Sequence, residues 1–319
     1  MSDGYRKYGS NSNDKCDMEE KTNCTSERPL VSAIITTHNR KELLKRAVES
    51  VKAQTYQNIE LIVVDDKSDD GTRQWCESQD FRYIYIPPEQ SRGGNYARNL
   101  GAEAARGKYL AFLDDDDYWL PEKTAKQVEL LETSGNEVAH CWRKLEIIND
   151  DSNSIIEDLP LPRRYRGDLS RRILYQISVF TSAMMVKKTA FLETGGFDEK
   201  CRFWQEYELT IRLAQRKPFE LMDDYGMVYR INTSDPGRLT NKYEGWKQSV
   251  EYIYTKHQKL FSQLNIFERI RVKVLYWTDS ASRAQKSSDV VTFRRHQVLN
   301  KVIGFPFRAV DKIIRLIRG

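Results

Sequence analysis

The sequence predicts an α/β fold in which a mostly parallel central sheet carries helices on both faces. Short apolar runs alternate with segments of helical periodicity from Val31 to about residue 133, and such alternation is typical of parallel sheets, because each crossover between parallel strands needs a helix. The runs are continuously apolar, as expected for strands buried on both faces. Three of them also end in polar or acidic residues, at the edge where such sheets bind ligands.

Four segments in the first half are predicted to be strands. Three are apolar runs, at 31–35, 59–64 and 109–113, and the segment 82–86 alternates as a strand does. The segments between and after them show helical spacing of apolar residues. These helices are expected at 43–51, over a short stretch ending at Trp75, at 96–105 and at 121–133. Gly107 is expected to cap the third helix, because glycine readily adopts the left-handed conformation found there.

The second half is less regular. Strands are predicted at 137–141, 144–148, 180–186, 218–222 and 226–231. Helices are predicted after the third of these strands as far as Glu193, and at 206–214. The Ser-, Asp-, Pro- and Gly-rich segment 232–240 is interpreted as a loop with the composition of a mobile lid. Mainly helices are expected from residue 242 onward.

The 319 residues are enough for one large α/β domain with a smaller appendage. Residues 1–29 are polar and are predicted to form a disordered leader. No apolar run reaches the roughly 18 residues of a membrane span, and the N-terminus lacks the apolar segment of a signal peptide. The five cysteines are scattered, and their odd number argues against a disulfide framework. A cytoplasmic location is therefore expected.

The formal net charge of +5 is unevenly distributed. From Arg269 onward there are twelve basic and three acidic residues, a net charge of +9, so the rest of the chain carries −4. Apolar residues from Val302 to Ile317 are interspersed with these cations, which predicts a basic amphipathic helix able to lie on an anionic membrane surface. Packing of this helix on the α/β domain or on a second subunit is the alternative.

Four consecutive carboxylates, Asp114 to Asp117, follow the apolar run 109–113 directly. They repel one another unless a cation lies among them, and Mg²⁺ or Mn²⁺ prefers such oxygen ligands. Thr36 and the pair Asp65–Asp66 end two other predicted strands, so these groups are expected to converge with the acidic run. A solvated acidic turn is the alternative reading of the run.

Four segments carry a resemblance to a known family: VSAIITTHNR (31–40), LIVVDDKSDDGT (61–72), ARNLGAEAARGKYLAFLDDDDYWLPEK (97–123) and TGGFDEKCRFWQEYELTIRLA (194–214). In order and spacing they resemble the family 2 glycosyltransferases, whose GT-A fold has a Rossmann-like sheet. The resemblance implies a nucleotide-sugar-binding half at 30–134 and an acceptor half at 135–240. It does not cover the leader or the basic helical extension at 241–319.

The resemblance also implies roles for individual residues on the donor side. Thr36 and Asp66, with Asp65 as neighbour, would bind the nucleotide base and ribose. The family's Asp-X-Asp motif falls on Asp114–Asp116: Asp116 would be the direct ligand of Mn²⁺ or Mg²⁺, while Asp114, a second candidate ligand, or Asp115 would face the donor and its ribose. Arg98 would offset diphosphate charge.

The catalytic base falls on Glu206, because Gln205–Glu206 aligns with the family's Glu-Asp pair. This departs from the family pattern, since glutamate is one methylene longer than aspartate, and Glu208 could share or take over the role. Both glutamates have an alternative interpretation as first-turn acids that complement a helix dipole. Asn232 stands where many relatives carry a histidine, so a third metal contact is not expected from that position.

The function implied is metal-dependent, inverting transfer of a sugar from a nucleotide-diphosphate donor, most simply a UDP-sugar. The acceptor would be a glycan or lipid-linked sugar in surface polysaccharide assembly, at the cytoplasmic face of the membrane. A catalytically inactive scaffold and a sugar nucleotidyltransferase are the alternatives. A nucleic-acid partner is not expected, because the basic tail lacks a recognisable reading motif and the acidic strand ends would repel phosphates in the absence of metal.

Overall fold

The computed structural model describes residues 28–148, 153–157, 165–232, 242–286 and 289–305. The predicted leader up to residue 27, most of the predicted lid and the end of the basic tail lie outside these ranges.

The first half of the chain alternates strands and helices as predicted. Its strands are β1 (Val31–Thr37), β2 (Ile59–Asp66), β3 (Arg82–Ile86), β4 (Tyr109–Asp114) and the short β5 (Tyr118–Trp119). Its helices are α1 (Lys41–Lys52), α2 (Thr72–Glu77), α3 (Gly94–Ala104) and α4 (Lys123–Ser134). The second half adds β6 (Val138–Ile148), β7 (Asn153–Glu157), β8 (Met184–Lys187), α5 (Lys188–Thr194), α6 (Gln205–Ala214) and β9 (Phe219–Asn232).

The nine strands within the described residues form one sheet in the order β3-β2-β1-β4-β8-β6-β9-β5, with β7 paired to β6. The first four strands are parallel, β8 runs antiparallel to both β4 and β6, and β6 and β9 are parallel to each other. The carboxyl ends of β1, β2 and β4 therefore meet at one edge. The predicted α/β class, with helices on both faces of the sheet, is confirmed.

The helices cover both faces because the strands alternate their side chains between two apolar layers. On β1, Ile34 faces a layer completed by α3, α5, α6 and the later helix α7 (Tyr243–Lys256). Ala33 and Ile35 face the opposite layer, which α1 and α4 complete. Strands buried on both faces explain why the sequence shows continuous apolar runs there.

Four local predictions are wrong. The predicted strand pairs 137–141/144–148 and 218–222/226–231 are each a single long strand, β6 and β9, whose mutual register shifts between His140 and Arg143. The irregular pairing and the polar residues within each strand made both look interrupted. Residues 181–183 form a short 3₁₀ turn before β8. Gly107 does not cap α3; a Cβ there would lie 2.7 Å from the Ser32 backbone nitrogen, so close packing requires the glycine.

The C-terminal helices α7, α8 (Gln258–Ser262) and α9 (Ile266–Lys286) pack against the α/β region, and α10 (Val290–Val302) packs on α9. Trp246 of α7 is fully buried, lies edge-on to Trp204 and stacks on Tyr276 of α9. Burial of a large apolar side chain stabilises a fold by about 1.5–3 kcal/mol. Among the described helices, none is long and apolar enough to cross a membrane.

Candidate active site

A cavity of about 820 Å³ opens at the carboxyl ends of β1, β2 and β4. The beginnings of α3 and α6 and one face of α9 complete its walls. Ligands of α/β proteins bind at this edge of the sheet. The structure brings most of the predicted residues to the cavity: Thr36, Asp66, Arg98, Asp114, Asp115, Asp116 and Glu206.

Arg40 holds two of the four clustered carboxylates. Its Nη1 lies 3.1 Å from Asp115 Oδ1 and 3.2 Å from Asp116 Oδ2. Thr37 Oγ1 donates to Asp115 Oδ2 at 2.8 Å, and Arg46 Nη2 donates to the Asp116 carbonyl at 3.0 Å. The Asp116 carboxylate remains the more accessible of the two, with 37% of its side chain exposed against 6% for Asp115.

The other two carboxylates are held separately. Arg98 Nη2 donates to Asp114 Oδ1 at 2.5 Å. Asp117 is buried and accepts hydrogen bonds from Ser182 Oγ at 2.7 Å and from the Arg230 backbone at 3.1 Å. Asp114 and Asp116 therefore face the cavity with partial exposure, while Asp117 anchors the turn.

The electrostatics of the cluster reflect crowding of like charges. Burial, reinforced by the neighbouring Asp116 charge, raises the pKa of Asp115 to about 7. Burial, together with Asp116 and Asp114, also raises the pKa of Asp117 well above its ordinary value. A cation bound among these carboxylates would stabilise their ionised forms.

The two aspartates at the end of β2 have different environments. Asp65 is fully buried; its carboxylate accepts from the Ser68 backbone at 3.0 Å and from the Tyr83 hydroxyl at 2.8 Å, away from the cavity. Asp66 lines the cavity, and its Oδ1 has no hydrogen-bond partner within the described part of the chain. A buried carboxylate oxygen without a partner is costly, so Asp66 is available to a ligand whereas Asp65 shapes the loop.

Glu206 lies in the first turn of α6 and lines the cavity. Burial raises its pKa to about 7, with repulsion from Asp114 adding to the effect and Arg98 and Arg283 opposing it. Trp204, two residues before Glu206, has a backbone φ of 54°. This left-handed conformation is unusual for a residue with a large side chain. Backbone strain of this kind clusters at functional sites.

Glu208 lies in a different environment, although it is only two residues further along α6. It is fully buried, and its carboxylate contacts Arg212 at 2.5 Å, Lys256 at 2.7 Å and His257 at 2.9 Å. Burial opposes ionisation, but these partners together hold the pKa of Glu208 at about 2. Glu208 is outside the set of cavity-lining residues and joins α6 to the C-terminal extension.

The family assignment follows from comparison with known proteins. A model described as glycosyl transferase family 2 matches residues 32–195, which includes β1 to β4 and the acidic run. The chain is a family 2 glycosyltransferase. An uncharacterized glycosyltransferase of Haemophilus influenzae is 30% identical over 75% of this chain and 81% of its own length.

Two further relatives of this glycosyltransferase carry more specific names. The UDP-Glc:α-D-GlcNAc-diphosphoundecaprenol β-1,3-glucosyltransferase WfaP of Escherichia coli is 43% identical over 33% of this chain and 42% of WfaP. The mannosyltransferase PcManGT of Pyrobaculum calidifontis, solved with GDP-Man and Mn²⁺, has a TM-score of 0.58 at 16% identity, covering 90% of this chain and 87% of that one. The second likeness shows that the fold is shared.

Several cavity residues of the glycosyltransferase were missed by sequence reasoning. Arg40 lies inside the first family segment, and a cation four residues beyond Thr36 was a usable signal. Ser182 and Tyr229 gave no signal, because nothing in the sequence brings the turn before β8 or the strand β9 to this cavity. Arg283 lies beyond the segments that resemble the family, on a helix whose position depends on tertiary packing.

Proposed function

We propose that this glycosyltransferase transfers a sugar, with inversion, from a UDP-sugar to a lipid-linked acceptor in a metal-dependent reaction. One observation carries the proposal: a glutamate of raised pKa, Glu206, opens on the same cavity as the partly exposed carboxylates Asp114 and Asp116. A base for the acceptor and charged groups for a nucleotide diphosphate are the two components that such a reaction requires.

The printed activity of WfaP supports the choice of substrates. The name of that enzyme gives UDP-Glc as its donor and a diphosphoundecaprenol-linked GlcNAc as its acceptor, and it is 43% identical to this chain over 105 residues. We therefore take a UDP-sugar as donor and a diphosphate-lipid-linked sugar as acceptor, in polysaccharide assembly at the cytoplasmic face of the membrane.

Donor binding falls to the strand ends. Asp66, whose Oδ1 has no hydrogen-bond partner among the described residues, accepts hydrogen bonds from the nucleoside, and Thr36 lies beside it. Arg98, buried against Asp114, faces the diphosphate and offsets its charge. Asp65 acts indirectly, because its bonds to Ser68 and Tyr83 fix the loop that follows Asp66.

The donor set fits Mn²⁺ or Mg²⁺. Among the described residues, no three His, Cys, Asp or Glu side chains converge as a complete metal cage. Mg²⁺-type sites use one or two carboxylates and complete their shell with substrate phosphates and water. Asp116, with Asp114 beside it, supplies such carboxylates. When bound there, the ion would neutralise charge on the departing nucleotide diphosphate.

Glu206 is the group that handles the proton. The acceptor hydroxyl oxygen bonds to the anomeric carbon as the bond from that carbon to the diphosphate oxygen breaks, and Glu206 takes the hydroxyl proton. One displacement with one base inverts the configuration at the anomeric carbon. A carboxyl group with a pKa near 7 is well matched to this role. Glu208 is unsuited to it, because its buried carboxylate is engaged by three cations or donors.

The test is a thermal-shift panel followed by transfer assays. UDP, GDP, dTDP and CDP are each tested with and without Mn²⁺ on the wild type and on Asp116→Ala. A ligand at about 100 times its Kd adds roughly 2.7 kcal/mol of stability, so a Mn²⁺-dependent shift with UDP that Asp116→Ala abolishes supports the proposal. Binding of several nucleotides without sugar transfer would support an inactive scaffold, and release of pyrophosphate from UTP and a sugar phosphate would support a nucleotidyltransferase.

A peripheral membrane contact is part of the same proposal. The exposed side chains of α10 and the residues just after it are either large and apolar or cationic, with no acid among them: Val291, Arg294, Arg295, Val298, Lys301, Val302 and Phe305. This combination matches an anionic lipid surface in charge and hydrophobicity. The sequence continues with four more cations and one acid up to residue 319.

Vesicle flotation tests this contact. Wild type is expected to float with vesicles containing anionic lipid and not with neutral ones, and Val298→Asp/Val302→Asp is expected to remain at the bottom of the gradient. Leu192→Asp, at an exposed apolar position of α5, serves as the matched control and should float. Equal flotation of all three proteins would contradict the contact, and self-association at high concentration without flotation would identify α10 as a dimer surface.

A further inference from the structure

Helix α9 forms one wall of the cavity, and the proposed reaction gives the residues of this wall no role. Leu275, Thr278, Asp279 and Ser282 line the cavity from this helix, and their spacing of three, one and three residues places them on one face. The family model ends at residue 195. This wall is therefore built by a part of the chain that the family model does not include.

Two oxygen-bearing side chains on this wall are available to a ligand. Asp279 Oδ2 accepts from Arg283 Nε at 2.8 Å, while Asp279 Oδ1 has no hydrogen bond to any described residue, and 30% of the side chain is exposed. The Ser282 hydroxyl is exposed and also makes no hydrogen bond to the described residues. A carboxylate oxygen and a hydroxyl are suited to pairs of hydroxyl groups, as found on a sugar ring.

Arg283 connects this wall to the catalytic base. Its side chain is 8% exposed, lies over the rings of Trp246 at 5.3 Å and Phe203 at 5.8 Å, and donates to Asp279. Its charge also lowers the pKa of Glu206. Asp279 and Glu206 therefore line the same cavity, and Arg283 interacts with both of them.

The charge of Asp279 restricts what can bind. Its carboxylate is paired with Arg283 at 2.8 Å, so the wall offers no uncompensated positive charge to the diphosphate of either substrate. It suits a neutral sugar, whose hydroxyl groups donate to the carboxylate with charge-assisted strength.

We propose that the α9 wall, through Asp279 and Ser282, binds hydroxyl groups of the acceptor sugar and so determines which acceptor is used. This subsite rests on the proposed glycosyltransferase reaction and names its acceptor recognition element. Arg283 is a positioning residue that fixes the Asp279 carboxylate.

The experiment compares Asp279→Asn and Ser282→Ala with Gln285→Ala, an exposed position of the same helix outside the cavity. The probe is the short-chain lipid diphosphate sugar that the wild type glycosylates best from a panel beginning with α-GlcNAc-diphosphate-phenoxyundecyl. Loss of a hydrogen bond to a charged group raises the acceptor KM by about tenfold or more. Donor KM and the UDP thermal shift should equal those of wild type.

Deoxy analogues of the acceptor sugar provide the decisive arm. Removal of the hydroxyl that Asp279 binds should raise the acceptor KM of the wild type and leave the acceptor KM of Asp279→Asn little changed. A purely structural role of Asp279 would not produce this coupling. Unchanged acceptor KM in both variants, equal changes in donor KM, or the same deoxy penalty in wild type and variant would overturn the subsite. Absence of any UDP shift or donor consumption by the wild type would instead refute the glycosyltransferase proposal itself.

Discussion

Glu206 and Glu208 show how strongly environment differentiates two identical side chains two residues apart. Glu206 has its pKa raised to about 7 by burial, whereas three partners hold the pKa of Glu208 at about 2. When the environment moves the pKa values of two carboxyl groups apart in this way, the two groups are suited to different roles. We assign proton transfer to Glu206 and structural pairing to Glu208.

Glu206→Gln tests the first assignment. The amide cannot accept the acceptor proton, so turnover should fall by about 10²–10⁴-fold while the UDP shift in the presence of Mn²⁺ is retained. Transfer is measured with labelled donor. Gln205→Ala, at the neighbouring cavity position, is the control and should keep far more activity than Glu206→Gln. Near wild-type transfer by Glu206→Gln would remove Glu206 from the mechanism.

The same variant should change stability in a pH-dependent way. Folding raises the pKa of Glu206 from about 4.5 to about 7, so the folded state binds the proton more tightly and wild type loses stability as pH rises through this range. Glu206→Gln should therefore match the wild-type Tm near pH 4 and exceed it at pH 8. Differential scanning calorimetry across this range provides the measurement, and a constant Tm difference would show that the carboxyl group is not perturbed.

Arg40 forms an ion pair with Asp116, the carboxylate that the proposed metal needs. Its guanidinium lies 3.2 Å from Asp116 Oδ2, and a divalent cation must compete with it. Arg40→Gln should tighten Mn²⁺ binding in the absence of nucleotide by about fivefold, comparable to one partly exposed ion pair. Electron paramagnetic resonance of free Mn²⁺ measures the Kd. Arg73→Gln, at an exposed ion pair on α2, should have no effect, and weaker Mn²⁺ binding by Arg40→Gln would show that Arg40 supports the site.

At the scale of elements, the sequence predicted the first half well and the second half less well. Strands β1, β2 and β4 are mainly apolar runs, because the sheet is covered on both faces there, and such runs can be recognised without tertiary information. The edge strand β3 is partly exposed and was recognised by its alternating pattern. β6 and β9 contain Arg143, Asp223, Asp224 and other polar residues within long strands. Their continuity depends on pairing with each other, which a local pattern does not contain.

The link between α6 and the extension depends on Glu208. Glu208→Ala leaves Arg212 and His257 without their carboxylate in a buried position, and breaking a buried pair costs about 3–5 kcal/mol. Chemical denaturation should show a fall of this size in the free energy of unfolding. Glu193→Ala, at an exposed partner of Arg216, should cost under about 1 kcal/mol. A similarly small loss for Glu208→Ala would mean that the cluster contributes little net stability.

At the scale of the molecule, the sequence predicted the cavity residues at the strand ends and missed the wall formed by α9. Thr36, Asp66, Arg98 and Asp114–Asp116 could be found because each follows or precedes a recognisable element and matches a family segment. Arg40 was within reach of the same reasoning. The wall formed by α9 could not be found, because its position is fixed by the packing of Trp246, Trp204 and Tyr276 over long sequence distances.

The ion cluster around Glu208 also affects how the protein unfolds. Departure of α7 would take Lys256 and His257 away from the Glu208 carboxylate, leaving Arg212 as its remaining partner, and would expose the fully buried Trp246 as well. A partly opened intermediate is therefore scarce, and heat or denaturant should melt sheet and extension in one cooperative step. A chain cut or shortened near residue 241 would expose apolar surface, and we expect it to aggregate and to lack activity.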